Sequence, residues 1–595
     1  MLNPGLNRLP SVGTQILQEV LMVAAAPAQK RLTIQVEAVA EDTTTIRSLD
    51  WDRDRFDIEF GLQNGTTYNS FIIRGEKVAL VDTSHAKFRE LYLKTLTGEI
   101  DPKTIDYLVI SHTEPDHSGL VRDVLELAPQ AVVVGAKVAI AFLEDLVHRP
   151  FERLIVKNGD TLDLGNGHTL EFVSAPNLHW PDTIFTYDHK TGLLFTCDAF
   201  GLHFCSDATY DEDLELISPD FRFYYECLMA PNARSVLGAM KRMDALPPVA
   251  MVATGHGPLL RYNVAELTGR YQRWSQEKAK AEDLVAVFYV SDYGYSDRLS
   301  QSIARGITKT GVAVEMMDMR SADPQEVTEL VGRAKGLVIG MPPASGTGAS
   351  ETQATLGTVL AAVHGKQTVG LFESYGGDDE PIDTLATKFQ DLDLIAAFTP
   401  IRIKDTPGEG LYQSCEEAGT DLGQGLAQAG KLKKLKALDA DLEKALGRIS
   451  SGLYIITAQK GEVSSAMLAS WVSQASFQPL GFTVAVAKDR AIESLMQVGD
   501  TFVLNILEEG KHLGLMKHFL KRFAPGADRF AGVRTRPATN GSPLLADALA
   551  YLECEVTSRM EVSDHWIVYC TVQDGKVSDP DGQTAVHHRK VGNYY

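Results

Sequence analysis

The chain has 595 residues, of which 44% are hydrophobic, and a formal net charge of −21. That length exceeds what one hydrophobic core organises and predicts three or four domains, and the negative charge argues against nucleic acid or an anionic membrane as the main partner. The six cysteines form no Cys-x-x-Cys pair. They therefore indicate neither a disulfide framework nor a rubredoxin or iron–sulfur module, and they favour a reducing, cytoplasmic compartment.

Residues 1–30 contain a largely apolar stretch, 16–26, which Glu19 interrupts. The uninterrupted part is far shorter than the roughly 20 residues that cross a membrane, so no transmembrane segment is predicted. Three alanines at 24–26 resemble a processing site, although no strongly basic region precedes them, and a cleaved signal stays an open alternative. We interpret residues 1–30 as a loose tail or a short helix.

Residues 31–276 have the pattern of a β-rich α/β domain, in which apolar strands alternate with helices. The loop 111–119 follows an apolar run at 107–110 that is typical of a buried strand. Four metal-ligand types lie within six residues of this loop, and three more lie at strand ends downstream: His112, Glu114, Asp116, His117, His179, Asp198 and His256. Because the histidines interleave with the carboxylates, the loop predicts a metal site rather than a solvated acidic turn.

The donor types indicate how many ions this site holds. Four imidazoles and three carboxylates are more than one first-row ion needs, so two ions are expected, and an aspartate can bridge them. Three hard carboxylates favour iron over zinc, which commonly takes thiolate ligands.

The loop resembles that of the metallo-β-lactamase superfamily, His-x-His-x-Asp-His, and Glu114 in place of the second histidine points to the flavodiiron branch. The resemblance implies an αββα sandwich with one iron on His112, Glu114 and His179, a second iron on Asp116, His117 and His256, and Asp198 between them. His203 could hydrogen-bond a bound oxygen species or simply support its loop. Trp180 could pack against the metal pocket or have an ordinary core role.

Residues 277–430 change to the pattern of a doubly wound α/β domain. Apolar runs at 284–290, 336–339 and 368–371 are typical of parallel strands covered on both faces. The loops that follow them lie where such a sheet binds a mononucleotide. The stretch resembles a flavodoxin, which implies FMN on three loops: Ser291, Tyr293, Gly294, Tyr295 and Ser296; Pro342, Ala344, Ser345 and Gly346; and Ser374, Tyr375 and Gly376.

Residues 431–445 predict a charged linker helix, whose lysines are more typical of a solvated face than of a docking patch. From 446 to 595, short and regularly spaced strands predict a small barrel. The segments 467–479 and 523–530 resemble the flavin reductase split barrel, which implies flavin and nicotinamide binding, with the candidate contacts Ser470, Trp471, Lys488, Arg490 and Asn505. Lys488 and Arg490 could also be ordinary surface charges.

The order of these modules resembles the class C flavodiiron proteins of oxygenic phototrophs. It implies an NAD(P)H:oxygen oxidoreductase type of enzyme, which passes electrons from NAD(P)H or ferredoxin through FMN to two irons. There dioxygen would be reduced to water, as a photoprotective electron sink. Nitric oxide reduction is the alternative, and a metal-dependent hydrolase or a redox-inert partner subunit are rivals. A second flavin in the C-terminal domain stays open.

The resemblance also bears on assembly. In one chain the flavodoxin module can lie far from the irons, and flavodiiron proteins solve this with a head-to-tail dimer. A dimer or larger oligomer is therefore expected, either of this chain alone or with a related chain.

Overall fold

The computed structural model describes residues 31–53, 55–56, 60–281, 283–290, 295–320, 322–341, 349–373, 380–403, 406–434 and 440–588. The predicted tail at 1–30 lies outside them. Among the described residues, no helix is long and apolar enough to cross a membrane.

The N-terminal domain is a sandwich of two mixed sheets. The first sheet has the order β1-β2-β5-β6-β7-β8-β9, beside a small β3–β4 pair, and the second has the order β10-β11-β12-β13-β14. The strands are β1 Leu32–Ala40, β2 Thr43–Asp50, β3 Arg55–Phe56, β4 Phe60–Gly61, β5 Thr66–Arg74, β6 Val78–Val81, β7 Ile105–Val109, β8 Val132–Gly135, β9 Arg153–Ile155, β10 Thr161–Gly165, β11 His168–Ser174, β12 Ile184–Asp188, β13 Leu193–Cys197 and β14 Met251–Thr254.

Helices cover the outer faces of both sheets. They are α1 Arg89–Glu99, α2 Pro115–Ser118, α3 Val121–Leu127, α4 Lys137–Val147, α5 Leu214–Tyr224, α6 Ala233–Met243 and α7 Val264–Ala279, with a π-helix at Tyr225–Met229. Strand side chains alternate between two cores: Phe71 and Phe195 pack between the sheets, while Ile72 packs under Phe88 and Tyr92. The predicted αββα sandwich is thus confirmed.

The second domain is a five-stranded parallel sheet with the order β16-β15-β17-β18-β19. The β15 residues are all buried, as expected of a strand with helices on both faces. Its strands are β15 Leu284–Tyr289, β16 Ala313–Asp318, β17 Gly336–Met341, β18 Thr368–Glu373 and β19 Ile395–Ala396, and its helices are α8 Tyr295–Lys309, α9 Pro324–Arg333, α10 Ala349–Ala362, α11 Glu380–Asp391 and α12 Glu409–Lys434. Helix α13, Ala440–Leu446, leads to the third domain.

The C-terminal domain is built on a seven-stranded antiparallel sheet with the order β22-β21-β25-β28-β29-β24-β23. Its elements are β20 Ser451–Gly452, β21 Tyr454–Lys460, β22 Val463–Ala469, β23 Val472–Phe477, β24 Leu480–Ala487, β25 Thr501–Ile506, α14 Leu513–Leu520, β26 Thr535–Pro537, β27 Pro543–Leu545, β28 Ala550–Val562, β29 His565–Val577 and β30 Val586–His587. Helix α12 of the second domain lies against β22.

Candidate metal centre

The seven predicted ligands lie together at the edge of the sandwich where β7, β13 and β14 end. Pro115 opens α2, a position where the missing N–H of proline costs nothing, so His112 and Glu114 lie just before this short helix and Asp116 and His117 lie within it. His179 comes from the loop between β11 and β12, Asp198 directly follows β13, and His256 follows β14. All seven side chains are buried.

Glycine allows the second sheet to approach this loop closely. A Cβ at Gly255 would lie 2.7 Å from the Cε1 atom of His117. Any larger residue before His256 would therefore push these two imidazoles apart.

One half of the centre is formed around Glu114. Its Oε2 atom lies 3.3 Å from His112 Nε2 and 2.9 Å from His179 Nε2. Both imidazole nitrogens also face Asp198 Oδ2, at 3.6 and 3.7 Å. The four donor atoms lie within 4.8 Å of one another, which is the spacing of groups that can share an ion.

The other half uses the second oxygen of the same aspartate. Asp198 Oδ1 lies 3.2 Å from both His117 Nε2 and His256 Nε2, and Asp116 Oδ2 lies 3.1 Å from His256 Nε2. Asp116, His117 and His256 form a second compact group of donors. Asp198 therefore presents one carboxylate oxygen to each half, which is the arrangement that a bridging ligand requires.

The electrostatics of the cluster suit bound cations. Burial alone would raise the pKa of Asp198, but His117, His256 and His112 hold it well below its usual range. Burial would lower the pKa of His256, but Asp116 and Asp198 raise it to about 10. The Asp198 carboxylate thus stays charged. Asp198 Oδ2 accepts no hydrogen bond from the described residues, and metal ions that displace the imidazole protons would satisfy it.

Neighbouring groups orient three of the four imidazoles through their far nitrogens. Asp182 Oδ1 lies 2.8 Å from His112 Nδ1, and the backbone N–H of Thr113 donates to Asp182 Oδ2. His256 Nδ1 lies 2.6 Å from the carbonyl oxygen of Thr67. His179 Nδ1 lies 3.3 Å from the amide Nε2 of Gln301, a residue of the second domain. Each contact leaves an Nε2 atom facing the centre, as metal-binding histidines require.

Two aromatic side chains enclose the centre. The hydroxyl of Tyr224, at the end of α5, donates to Asp198 Oδ1 at 2.8 Å. The ring of Trp180 stands edge-on to His112 at 5.0 Å between centroids, so its predicted packing against the metal pocket is confirmed. The sequence analysis missed Tyr224, because a buried tyrosine on an amphipathic helix has no local signal that separates it from the core.

His203 lies beside the centre but not in it. Its Nδ1 atom is 2.8 Å from Thr66 Oγ1, and its ring is 4.8 Å from that of His256 between centroids. Burial and the nearby His256 hold the pKa of His203 well below its usual value, so the imidazole is neutral. The contact with Thr66 supports its loop, and the position next to His256 keeps the oxygen-binding alternative open.

Comparison with known proteins identifies the family. The model of the ODP family beta lactamase matches residues 66–257, and that of the flavin reductase like domain matches residues 446–594. Diflavin flavoprotein A 1 of Synechocystis is 69% identical over 96% of this chain and 99% of its own length. This chain belongs to the diflavin flavoprotein A family. It is therefore an oxidoreductase with a metallo-β-lactamase-like domain and a flavin reductase domain.

A solved structure of a related protein is similar to about two thirds of this chain. The structure described as a metal-soaked Flv1 flavodiiron core from Synechocystis superposes with a TM-score of 0.62 and 38% identity, over 67% of this chain and 99% of that one. The predicted fold of the diflavin flavoprotein, with its metallo-β-lactamase-like, flavodoxin-like and flavin reductase-like parts, is confirmed.

Most of the predicted FMN loops lie outside the described residues. These are Ser291, Tyr293, Gly294, Pro342, Ala344, Ser345, Gly346, Ser374, Tyr375 and Gly376. Of the first loop, Tyr295 and Ser296 open α8, with Tyr295 exposed and Ser296 buried. Strands β15, β17 and β18 are parallel neighbours, so the three loops start from one edge of the sheet.

The two domains meet at the metal cluster within one chain. Gln301 on α8 contacts His179, and Arg234 of the N-terminal domain pairs with Glu315 of β16 at 3.1 Å. Helix α8 of the flavodoxin-like domain thus lies against a metal ligand of its own chain, whereas the loops expected to bind FMN lie mostly outside the described residues. The expected dimer or larger oligomer stays a prediction.

A cavity of about 530 Å³ lies between α12 and the C-terminal sheet. Of the five candidate flavin contacts, Ser470 and Arg490 line this cavity, and Trp471, Lys488 and Asn505 lie outside its lining. Trp471 stacks on His565, Lys488 pairs with Glu561, and Asn505 is buried and donates to the carbonyl oxygen of Ile455. The sequence analysis missed the wall that α12 contributes, since that wall belongs to another domain.

Proposed function

We propose that this chain is a flavodiiron oxygen reductase. Electrons from NAD(P)H, or from ferredoxin, pass through FMN to two irons at the buried cluster, where dioxygen is reduced to water. The observation that carries the proposal is Asp198, whose two carboxylate oxygens face two separate groups of buried donors. The kinship with diflavin flavoproteins and with a flavodiiron core supports the choice of cofactors.

The residues present suit two irons. His112, Glu114 and His179 would hold one, Asp116, His117 and His256 the other, and Asp198 would bridge them. Two adjacent irons supply one-electron chemistry and a place for the gas to bind. Glu114 adds a negative charge where an imidazole would be neutral, and this favours the more highly charged ferric state. The buried walls exclude bulk water, and Tyr224 holds a proton beside Asp198.

The cavity at α12 is the proposed site of the second flavin. Its volume is within the range of roughly 300–1,000 Å³ of small-molecule pockets. Met467, Leu468 and Phe523 supply apolar surface for an isoalloxazine ring, and Arg490 and Lys521 supply positive charge for a phosphate. We infer that NAD(P)H delivers hydride to the flavin at this place.

Residues at the rim of this cavity tie it to the second domain. Arg522 pairs with Asp421 at 3.0 Å and Arg529 pairs with Glu417 at 2.9 Å, and both carboxylates belong to α12. A flavin in the cavity would thus touch the helix of the domain that receives its electrons. This contact supports electron transfer within one chain, and it makes the oligomeric state a separate question that a dilution series would answer.

The experiment that tests the function is an anaerobic reduction followed by a pulse of gas. The purified protein, reconstituted with iron and FMN, is reduced with NADPH, and flavin absorbance and gas consumption are followed after addition of dioxygen or nitric oxide. We expect dioxygen to reoxidise the flavin, with two NADPH consumed per dioxygen because water formation takes four electrons. Faster consumption of nitric oxide would assign the alternative activity, and two zinc ions with no iron would assign a hydrolase instead.

Two further parts of the proposal concern the cell. The acidic, disulfide-free chain suits the cytoplasm, and the kinship with cyanobacterial flavoproteins suits a photoprotective electron sink. Loss of the gene should then lower light-dependent oxygen uptake. Unchanged oxygen uptake after a light shift would contradict the photoprotective role, but it would not contradict dioxygen reduction by the purified protein.

A further inference from the structure

Gln301 of the second domain contacts a predicted metal ligand. Its side chain projects from α8 and places Nε2 at 3.3 Å from Nδ1 of His179. The corresponding far nitrogens of His112 and His256 face Asp182 and the Thr67 carbonyl, both from the N-terminal domain. The metal centre therefore draws one orienting contact from outside its own domain.

A metal-bound imidazole carries a proton on its second nitrogen, and this determines which hydrogen-bond partner His179 requires. Its Nε2 atom faces Glu114 and Asp198, so binding through Nε2 puts the ring proton on Nδ1. A protonated Nδ1 requires an acceptor. The carboxamide of Gln301 supplies one when its oxygen takes the place of its nitrogen, an exchange that leaves the shape of the side chain unchanged.

We propose that Gln301 is a positioning residue of the metal centre, which accepts the Nδ1–H of His179 and so makes the flavodoxin-like domain part of the ligand scaffold. The proposal rests on the proposed iron site. The iron on His112, Glu114 and His179 would then be bound with full affinity only when the second domain is docked. The readout is therefore metal affinity, not turnover alone.

The packing of α8 supports a fixed position for Gln301. A Cβ at Gly306 would lie 2.0 Å from the carbonyl oxygen of Glu416, and one at Gly419 would lie 2.0 Å from that of Ile303. Helices α8 and α12 thus touch backbone to backbone, and neither can slide along the other. A side chain on a helix that is packed so closely is held in a defined position, as a residue that orients a metal ligand must be.

Charges at both ends of the second domain hold it on its neighbours. Lys309 of α8 pairs with the buried Glu493 of the C-terminal domain. On the other side, Arg320 lies over the ring of Phe142 at 5.5 Å, in the N-terminal domain. The second domain thus has a charged contact with each of its neighbours, and these contacts support a fixed position of α8 beside His179.

Three substitutions in the full chain test the proposal. Gln301→Met keeps the length of the side chain and removes the acceptor, whereas Gln301→Glu keeps an acceptor oxygen. Gln325→Met is the matched control, because Gln325 lies at an exposed position of α9 and its side-chain amide donates to Glu329, away from the metal ligands. Iron affinity is measured by competition with a chelator, and thermal unfolding of the metal-free proteins reports on the fold.

We expect Gln301→Met to weaken iron binding about 10- to 100-fold, the usual effect of removing an orienting partner. Gln301→Glu should restore it to within about threefold, and Gln325→Met should match the wild type. Should the Met variant fold poorly when metal-free, Gln301→Asn, which withdraws the amide by one bond, gives the same comparison. Wild-type affinity in Gln301→Met, or equal loss in the Met and Glu variants, would overturn the proposal. A wild-type chain that binds no iron would instead overturn the proposed function.

Discussion

The hydroxyl of Tyr224 donates to Asp198 Oδ1 at 2.8 Å, while Oδ2 of the same aspartate faces His112 and His179. Burial and the nearby Asp198 carboxylate hold the pKa of Tyr224 well above its usual value, so the hydroxyl keeps its proton. The tyrosine thus supplies a fixed donor at the carboxylate that joins both halves of the centre.

Tyr224→Phe should lower the rate of dioxygen reduction about tenfold without loss of iron. The substitution removes a hydrogen bond to a charged group, worth about 1.5–3 kcal/mol, and leaves the ligands in place. Turnover and iron content are measured together. Tyr225→Phe is the control, because its hydroxyl contacts Ser275 away from the metal ligands. Loss of iron from the Tyr224 variant would show instead that the tyrosine holds the ligand set together.

Asp198→Asn should lower the iron content from about two ions per chain to one or none and reduce turnover more than about 1,000-fold. A neutral amide offers one weak oxygen donor where the carboxylate faces both halves, and it removes a negative charge between two cations. Elemental analysis after reconstitution gives the iron content. Asp163→Asn, at an exposed position of β10, should match the wild type. Two tightly held irons in the Asn variant would exclude Asp198 as the bridge.

Arg490→Ala should weaken flavin binding to the C-terminal domain about tenfold, because the guanidinium lines the cavity and suits a phosphate. The flavin-to-protein ratio after desalting should fall from about two to about one. Lys488→Ala is a close control, since that lysine pairs with Glu561 outside the cavity. Equal flavin loss in both variants would place the phosphate elsewhere.

Glu493→Gln should destabilise the contact between the second and C-terminal domains at neutral pH. Burial would raise the pKa of Glu493, but Lys309 and Arg559 lower it to about 2 from 4.5. A lowered carboxyl pKa stabilises the fold above pH 4.5 and loses that contribution as the pH falls toward 2, a total on the order of 3 kcal/mol.

Thermal unfolding across this pH range provides the measurement. The wild type should lose stability between about pH 4.5 and 2, and its difference from the Gln variant should vanish at the acid end. Glu561→Gln is the control, because its exposed pair with Lys488 is worth at most about 1 kcal/mol. A constant difference between wild type and Glu493→Gln at every pH would show that the effect is one of packing.

The seven candidate metal ligands, which the structure brings together, could be found from the sequence because their signal is local. His112 to His117 lie in one short stretch, and the other three candidates lie in the loops that follow β11, β13 and β14 of the second sheet. The groups that orient them could not be found in this way. Asp182 lies near His179 in sequence but serves His112, while Tyr224 and Gln301 reach the centre only through packing of helices.

The C-terminal candidates show a different limit. Five residues near the resemblance motifs were predicted as flavin contacts, and two of them, Ser470 and Arg490, line the cavity that we propose as the flavin site. Alternate residues of a strand face opposite sides of a sheet, so a difference of one position sends a side chain away from the site. Trp471 lies next to Ser470 in the turn between β22 and β23, where its ring packs against His565. The register of a curved sheet is not readable from motif spacing.

The buried charges between the second and C-terminal domains have a kinetic consequence. Arg305, Lys309, Glu416, Glu493 and Arg559 form one network, in which any shifted docking would leave a charge without its counter-charge at a cost of several kcal/mol. The C-terminal domain is accordingly not a tethered carrier that swings between donor and acceptor. Electrons would tunnel across a gap of constant width, and the rate of that step should be insensitive to the viscosity of the solvent.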